Sequence, residues 1–187
     1  MARLIATDAL DGARLPVARG AARLEALDPG PIVWIAAPPG DGARKRLSEA
    51  LSRQTGTALA RPGRMRGRAG ARCLWFAPGE ALFLGGDVAQ LRPLESIGAV
   101  VADVSDAWAA LRLSGAASRD VLARLVPLDL RARAFRQGDC ARTLLRQIPV
   151  VLFRTGASRF DMLVARSFAL SAHDDLCAAM ARVSALG

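Results

Sequence analysis

The sequence predicts an α+β fold in which two successive β-α-β units of the split, ferredoxin-like type share one core. Residues 31–104 follow the order strand, helix, strand, strand, helix, strand. A similar order begins again at Trp108. The apolar content of 52% is high enough to bury a core and excludes a disordered chain. No residue-level repeat accompanies the two halves, so the two-unit prediction depends on element order alone.

The predicted domain organisation is an N-terminal arm followed by one α+β domain. The arm covers residues 1–30, and the domain covers residues 31–187 with halves 31–106 and 107–187. At 187 residues the chain is long enough to bury one good core.

The arm is predicted because residues 1–30 contain scattered aliphatic side chains and turn residues without a sustained period. A solvated tail is one interpretation. The other is a segment that buries Leu4, Ile5 and Leu10 against a partner. Exposing that many aliphatic side chains to water is unfavourable, so we favour the arm.

The first half of the domain is predicted from apolar periodicity and from turn residues. A strand is predicted at 31–37, a helix at 43–53, a hairpin at 73–85 and a short helix at 87–97, followed by a strand at 99–104. The glycine- and arginine-rich residues 61–72 are predicted to form a loop.

The segment 100–130 organises the centre of the chain. Alternating apolar residues predict two strands joined by a tight turn at Asp106. Ser114 and Gly115 then precede a predicted helix at 116–125, which Pro127 ends.

The last part of the chain is predicted to contain three strands and a final helix. The strands lie at 140–145, 149–154 and 160–164, and Ser167 is predicted to cap a helix that extends to about residue 183. One face of that helix is apolar and includes His173; the face consists of Ala169, Ala172, His173, Leu176, Cys177 and Met180.

The net charge of +9 favours acidic partners and salt-sensitive association. Of the 26 basic residues only Lys45 is a lysine, which indicates a composition bias toward arginine across the whole chain. Aromatic residues are not interleaved with the arginines, so we predict no nucleic-acid partner; a nucleic-acid binder acting through residues 61–72 is kept as a third hypothesis.

Composition also bounds the environment of the protein. No apolar run reaches the roughly 20 residues of a membrane span, so no membrane partner and a cytoplasmic location are predicted. Cys73, Cys140 and Cys177 are widely spaced and odd in number, which is typical of reduced thiols rather than of a disulfide framework.

Few residues are candidates for chemistry. Because His173 is the only histidine, multi-histidine metal sites are excluded, and we predict neither a metal site nor a catalytic residue. We predict that His173 is a structural residue at the edge of the core, since no nucleophile motif accompanies it.

Two further groups are candidates for binding. Asp103 and Arg112 flank the central turn and are candidates for binding a nitrogen heterocycle; alternatively, Asp103 only pairs with an arginine. Arg154, Arg166 and Phe168 form an arginine-aromatic group suited to a protein interface or to an anionic ligand.

Short motifs in the second half resemble the gamma subunit of heterotetrameric sarcosine oxidase. They lie in the same order along about the last 90 residues and are VSDAW at 104–108, LRLSG at 111–115, DVLA at 120–123, PLDL at 127–130, F135 with GDCART at 138–143, PVVLFR at 149–154 and F160 with VARSFA at 164–169.

The resemblance implies a fold like the folate-binding part of the aminomethyltransferases. It also implies a non-catalytic structural subunit that packs against a large alpha subunit and through it joins beta and delta subunits. That complex demethylates sarcosine oxidatively to glycine, with tetrahydrofolate accepting the one-carbon unit. FAD, FMN, NAD and zinc are expected on the other subunits and none of them on this chain. The alternative is a small stand-alone folate-binding protein that uses Asp103 and Arg112.

Overall fold

Two antiparallel β-sheets form the centre of the molecule in a computed structural model that describes residues 7–186. The five-stranded sheet has the order β4-β5-β6-β3-β7, and the six-stranded sheet has the order β1-β2-β8-β11-β10-β9. The strands are β1 Val17–Arg19, β2 Ala22–Ala26, β3 Ile32–Ala36, β4 Met65–Arg68, β5 Ala71–Ala77, β6 Glu80–Leu84, β7 Val100–Asp103, β8 Trp108–Ser114, β9 Cys140–Leu145, β10 Ile148–Gly156 and β11 Arg159–Ala165.

Helices cover the outer face of each sheet, and the inner faces pack on each other. The helices are α1 Ala43–Thr55, α2 Val88–Leu91, α3 Ser118–Leu122 and α4 Ala169–Ser184, with 3₁₀ turns at Arg92–Ile97, Ser105–Ala107 and Arg166–Phe168. One apolar cluster joins α1 and α2 to the five-stranded sheet, and another joins α3 and α4 to the six-stranded sheet. A third cluster, which includes Leu82 and Phe153, lies between the sheets. The result is a four-layer α/β/β/α sandwich.

Each sheet contains the ferredoxin-like strand order. In the five-stranded sheet β5, β6, β3 and β7 have the order expected of a β-α-β-β-α-β unit. In the six-stranded sheet β10, β11 and β8 take the corresponding positions, but β2 from the N-terminal part of the chain occupies the place of the fourth strand. The predicted α+β fold of two such units is confirmed, with one strand borrowed from the start of the chain.

The borrowed strand lies within residues 1–30, which were predicted to form an N-terminal arm. Val17–Arg19 and Ala22–Ala26 form a hairpin, and Ala22–Ala26 pairs with β8. Leu24 is completely buried there. The alternation in Ala22–Ala26 extends over only five residues, and its apolar side chains find their neighbours in a strand about 90 residues later, so local periodicity could not reveal it.

The arginine-rich segment at 61–72 is a hairpin and not a loop. Met65–Arg68 pairs with Ala71–Ala77, and Gly67 and Gly70 both have positive φ. A Cβ on Gly67 would lie 2.0 Å from the carbonyl oxygen of Ala71, so this turn requires glycine. Glycine and arginine are poor strand formers by composition, and the prediction of a loop was therefore wrong.

The central turn joins two sheets and does not close a hairpin. β7 is the edge of the five-stranded sheet, whereas β8 lies inside the six-stranded sheet. The predicted turn at Asp106 lies in the 3₁₀ turn Ser105–Ala107, and Asp103 stabilises its start, because its Oδ1 accepts hydrogen bonds from the backbone N–H and the hydroxyl of Ser105. The segment 100–130 therefore connects the two layers of the sandwich.

Two predicted helices differ from the observed ones. The helix at 116–125 is reduced to Ser118–Leu122, and the final helix begins after a 3₁₀ turn without a side-chain cap from Ser167. The other predicted strands and the helix after residue 43 are confirmed, including the buried Leu47, Ala50 and Leu51. Between residues 7 and 186 no helix is long and apolar enough to cross a membrane.

Candidate functional site

An apolar groove lies at one end of the six-stranded sheet, and we call it the Ala165 groove. Ala165 ends β11 and pairs with Trp108 at the start of β8. It lines two adjoining depressions of 390 and 610 Å³. One contains Trp108 and Leu144, and the other contains Arg166 and Leu170. The groove is open to solvent and combines large apolar side chains with charged ones, namely Arg142, Arg166, Asp8 and Asp11, which is the composition of a protein-binding surface.

Exposed apolar side chains surround the Ala165 groove. Leu170 on the first turn of α4 is 46% exposed, and Phe168 in the preceding 3₁₀ turn is 44% exposed. Leu144 on the edge strand β9 is similarly exposed. Burying such side chains against a partner stabilises a complex by about 25 cal/mol per Å² of apolar surface, before the costs of association.

Aromatic contacts hold the two sheets together beside the groove. The rings of Phe76 on β5 and Trp108 on β8 meet edge to face, with their centroids 6.1 Å apart. The guanidinium of Arg142 lies 4.2 Å from the Phe76 ring centroid. Residues from both sheets therefore fix the position of Trp108 in the groove wall.

The predicted interface residues fall in three different places. Arg166 is exposed at the Ala165 groove, where its Nη2 donates to the carbonyl of Thr7. Leu10 packs against the core of its own chain. Leu4 and Ile5 lie outside the described residues.

Arg154 is an internal residue, which corrects its prediction as an interface residue. It is only 6% exposed, and its guanidinium stacks on Phe160. Nη1 donates to the carbonyl of Phe135 at 2.6 Å and Nε to that of Gly156 at 3.1 Å, and Leu130 and Ala157 provide two further carbonyl acceptors. The side chain therefore organises the loop before β9 and the β10–β11 turn.

Asp103 and Arg112 do not form a joint site. Asp103 is exposed on β7, and its pKa is lowered by the two hydrogen bonds from Ser105. Arg112 lies in the middle of the six-stranded sheet, where its Nε and Nη2 donate to the two oxygens of Asp161 at 2.7 and 2.8 Å. The alternative prediction, that Asp103 pairs with an arginine, is wrong, because among the described residues the partner of its carboxylate is Ser105.

Asp161 is the centre of a charged cluster that sequence reasoning missed. Its side chain is 0% exposed, and besides Arg112 it accepts Arg72 Nη1 at 3.4 Å. Arg72 belongs to β5, so the cluster joins the two sheets. The sequence carried one signal for this cluster, an aspartate within the apolar strand FDMLV. Because an unpaired buried carboxylate is very unfavourable, such an aspartate predicts a buried cationic partner.

His173 lies at the edge of the core and contacts two polar side chains. Its Nδ1 is 3.0 Å from Oδ1 of Asp174, and its Nε2 is 3.4 Å from Sγ of Cys177. Sequence reasoning missed the contact with Cys177, although positions 173 and 177 are one helical turn apart. Burial and the Asp174 carboxylate raise the pKa of the Cys177 thiol, which opposes formation of a nucleophilic thiolate.

The other two cysteines and the basic hairpin serve internal contacts. Burial raises the pKa of Cys73 to about 11 and that of Cys140 to about 12. In the basic hairpin, Arg64 pairs with Asp139 and Arg72 with Asp161. Within residues 7–186 no group of three or more histidine, cysteine or acidic side chains is arranged to hold a metal ion.

Comparisons with known sequences match both halves of the chain. The family model of the GCVT N-terminal domain matches residues 84–185. The sarcosine oxidase subunit gamma of Corynebacterium sp. (strain P-1) is 35% identical over 144 residues, which are 73% of this chain and 68% of that protein. The corresponding subunit of an Arthrobacter species is 34% identical over 139 residues, which are 70% of this chain and 66% of that protein.

Comparisons with solved structures agree on the fold. A chain of the heterotetrameric sarcosine oxidase from Corynebacterium sp. U-96, solved in complex with pyrrole 2-carboxylate, superposes with a TM-score of 0.78 and 30% identity, over 90% of this chain and 88% of that chain. The glycine cleavage system aminomethyltransferase T from Bartonella henselae gives a TM-score of 0.56 at 16% identity, over 84% of this chain and 46% of that one. The second likeness establishes an aminomethyltransferase-like fold and nothing about activity.

Proposed function

Because the chain belongs to the family of sarcosine oxidase gamma subunits, we propose that it is a non-catalytic structural subunit of a heterotetrameric sarcosine oxidase. The observation that carries this proposal is the 35% identity to a gamma subunit, of which the aligned region covers 68%. The complex would demethylate sarcosine oxidatively to glycine and pass the one-carbon unit to tetrahydrofolate. This chain would contribute a docking surface to it.

The polar side chains of the molecule support a structural role. The charged groups that meet in the interior are paired with one another, as in the Asp161 cluster, or hold backbone carbonyls, as Arg154 does. His173 contacts a cysteine whose pKa is raised and not lowered. Such groups stabilise a fold, but they lack the exposed, activated geometry of an acid, base or nucleophile.

We propose that the Ala165 groove meets the alpha subunit, and that beta and delta subunits join through alpha. Exposed Leu144, Phe168 and Leu170 supply the apolar area, while Arg142 and Arg166 can pair with acidic residues at the rim. FAD, FMN, NAD and zinc would be bound by the partner subunits. The assembled complex would reside in the cytoplasm.

A stand-alone folate-binding protein is the weaker hypothesis. It requires Asp103 and Arg112 to face one ligand, whereas Arg112 makes a bidentate pair with Asp161 and Asp103 accepts from Ser105. Arg112 lines a cavity that Asp103 does not line, so the two side chains share no pocket there. No observation on these residues favours folate over the structural role.

Co-purification tests the structural role and its surface together. We expect the tagged full-length chain, expressed in its native cells, to elute with a large flavin-containing protein and with sarcosine-dependent production of hydrogen peroxide. Leu170→Glu should reduce the recovered flavoprotein at least tenfold, because it places a charge in the apolar groove.

Val100→Glu is the matched control for this experiment. Val100 is also an exposed aliphatic residue, but it lies on β7 at the edge of the other sheet. The amount of flavoprotein that elutes with Val100→Glu should equal the amount that elutes with the wild-type chain. Elution of the wild-type chain without a flavoprotein would refute the function, whereas equal losses for the two variants would refute the Ala165 groove as the docking surface.

A further inference from the structure

A second cavity lies between the two sheets, on the far side of the Asp161 cluster, and we call it the Arg72 cavity. Its volume is 400 Å³, and Arg72 and Arg112 both line it. The rest of its wall is largely apolar and includes Leu27, Pro29, Pro31 and Leu84. A wall of aliphatic side chains with two converging cations is the usual composition of a site for a small organic anion.

The two guanidinium groups have donors to spare. Arg112 uses Nε and Nη2 on Asp161, and Arg72 uses Nη1. Among the described residues, Arg72 Nε is buried without a hydrogen-bond partner. Arg72 Nη2 and Arg112 Nη1 likewise have no acceptor within residues 7–186. Arg72 Nε is fully buried, so the donors left for a ligand are Arg72 Nη2 and Arg112 Nη1. One donor from each guanidinium matches the two oxygens of a carboxylate.

Charge in the cluster also favours a single anion. Arg72, Arg112 and Asp161 together carry one excess positive charge; Glu25 also acts on Arg112, and Arg159 acts on Arg72. Burial is the main cause of the lowered pKa of Arg72; Asp161 opposes this effect, and Arg112 and Arg159 add to it. A second negative charge beside Arg72 would therefore stabilise its charged form. Asp28, whose Oδ1 accepts from the N–H of Gly30, also lines the cavity and repels anions, and it repels a doubly charged anion more than a singly charged one.

Glycine backbones keep the cavity open at the junction of three loops. A Cβ on Gly85 would lie 2.2 Å from the carbonyl oxygen of Gly70, and one on Gly30 would lie 3.1 Å from Cα of Gly85. All three glycines have positive φ and line the cavity. These backbones approach each other closely, and glycine has no side chain. This part of the wall therefore leaves space in the cavity beside the arginines.

We propose that the Arg72 cavity binds a small organic monocarboxylate, with the carboxylate on the free N–H groups of Arg72 and Arg112 and its apolar body against Leu27 and Leu84. This function is separate from docking in a complex, and it needs only this chain. No covalent step is involved. The site would add a ligand-binding role to a subunit whose other charged groups are structural.

Calorimetric titration of the full-length chain with sodium benzoate, at constant ionic strength, tests the proposal. We expect saturable binding, at least tenfold weaker binding of the neutral isostere benzamide, and weaker binding of inorganic phosphate. Arg72→Gln should weaken benzoate binding at least tenfold while Arg112 continues to pair with Asp161. Arg66→Gln is the matched control, because it removes the same charge from the neighbouring strand β4 at a residue that does not line the cavity.

Ala69→Glu provides a second test that leaves the charged cluster intact. Ala69 lines the cavity in the β4–β5 turn, and a glutamate there would compete for the same donors. It too should weaken benzoate binding at least tenfold. Non-saturable benzoate binding, binding that Ala69→Glu leaves unchanged, equal affinity for benzamide, or equal losses in Arg72→Gln and Arg66→Gln would each overturn the proposal. Tighter binding of phosphate than of benzoate would overturn the assignment to monocarboxylates.

Discussion

Replacing Asp161 by asparagine should destabilise the fold more than any other single loss of a carboxylate. The side chain is fully buried, and it balances the charges of Arg72 and Arg112, whose side chains are only 16% and 23% exposed. Asparagine keeps the size but removes the negative charge, so both arginines lose their paired carboxylate and Glu25 remains near Arg112 only. Breaking a buried ion pair in this way costs about 3–5 kcal/mol. Partial exposure of both arginines places the expected loss at the lower end, at about 3 kcal/mol.

Urea denaturation of the purified chain measures this loss. With a slope of about 2 kcal/mol per molar urea, a loss of 3 kcal/mol lowers the midpoint by about 1.5 M. Asp129→Asn is the control, since it removes a carboxylate that pairs with Arg131 on the surface, and its midpoint should remain that of the wild type. Equal midpoints for the two variants would refute the reasoning, because they would show that water already screens the Asp161 cluster.

Three further predictions follow from other internal groups. Arg154→Met should lower the melting temperature clearly, because the buried carbonyls that it binds lose their hydrogen-bond donor. Arg166→Met changes a surface arginine and should leave the melting temperature within a degree or two of the wild type. Equal shifts for the two variants would contradict the internal role of Arg154. In thiol labelling, Cys177 should react first because it is only partly buried. The buried Cys73 and Cys140 should react only as fast as the chain unfolds. Rapid reaction of all three cysteines would show that Cys73 and Cys140 are accessible in the folded chain. Burial raises the pKa of Cys73 from 9.0 to about 11 and that of Cys140 to about 12. As the pH rises, the unfolded chain therefore loses these thiol protons before the folded chain does. The free energy of unfolding should consequently fall above pH 9. The double variant Cys73→Ala/Cys140→Ala should show a smaller fall between pH 9 and 11 than the wild type, and an equal fall would contradict the assignment.

The helices and most strands were predictable because their signals are local. The alternation of β8 and the apolar face of α4 each repeat within a few residues, so periodicity identifies them without knowledge of their neighbours. The short motifs of the second half are equally local, and they indicate the family without reference to strand pairing. The contact of His173 with Cys177 was also within reach of the sequence, since a separation of four residues places both on one helix face.

The candidate sites depended on contacts between distant parts of the chain. Arg154 was predicted to be an interface residue because it belongs to an arginine-aromatic group, yet its long side chain reaches carbonyls from two loops. The pairing of Asp161 with Arg112 and Arg72 joins residues 49 and 89 positions apart, and no spacing rule predicts such a meeting.

The sequence by itself determined the α+β class, most of the element order from β3 onward, the buried faces of the helices and the family. Only the tertiary structure decided that β2 completes the six-stranded sheet, that β7 and β8 belong to different layers, and which arginines keep free donors. The physical reason is that secondary structure follows from side chains a few residues apart, whereas strand pairing and ion pairing depend on which distant segments the folded chain brings together.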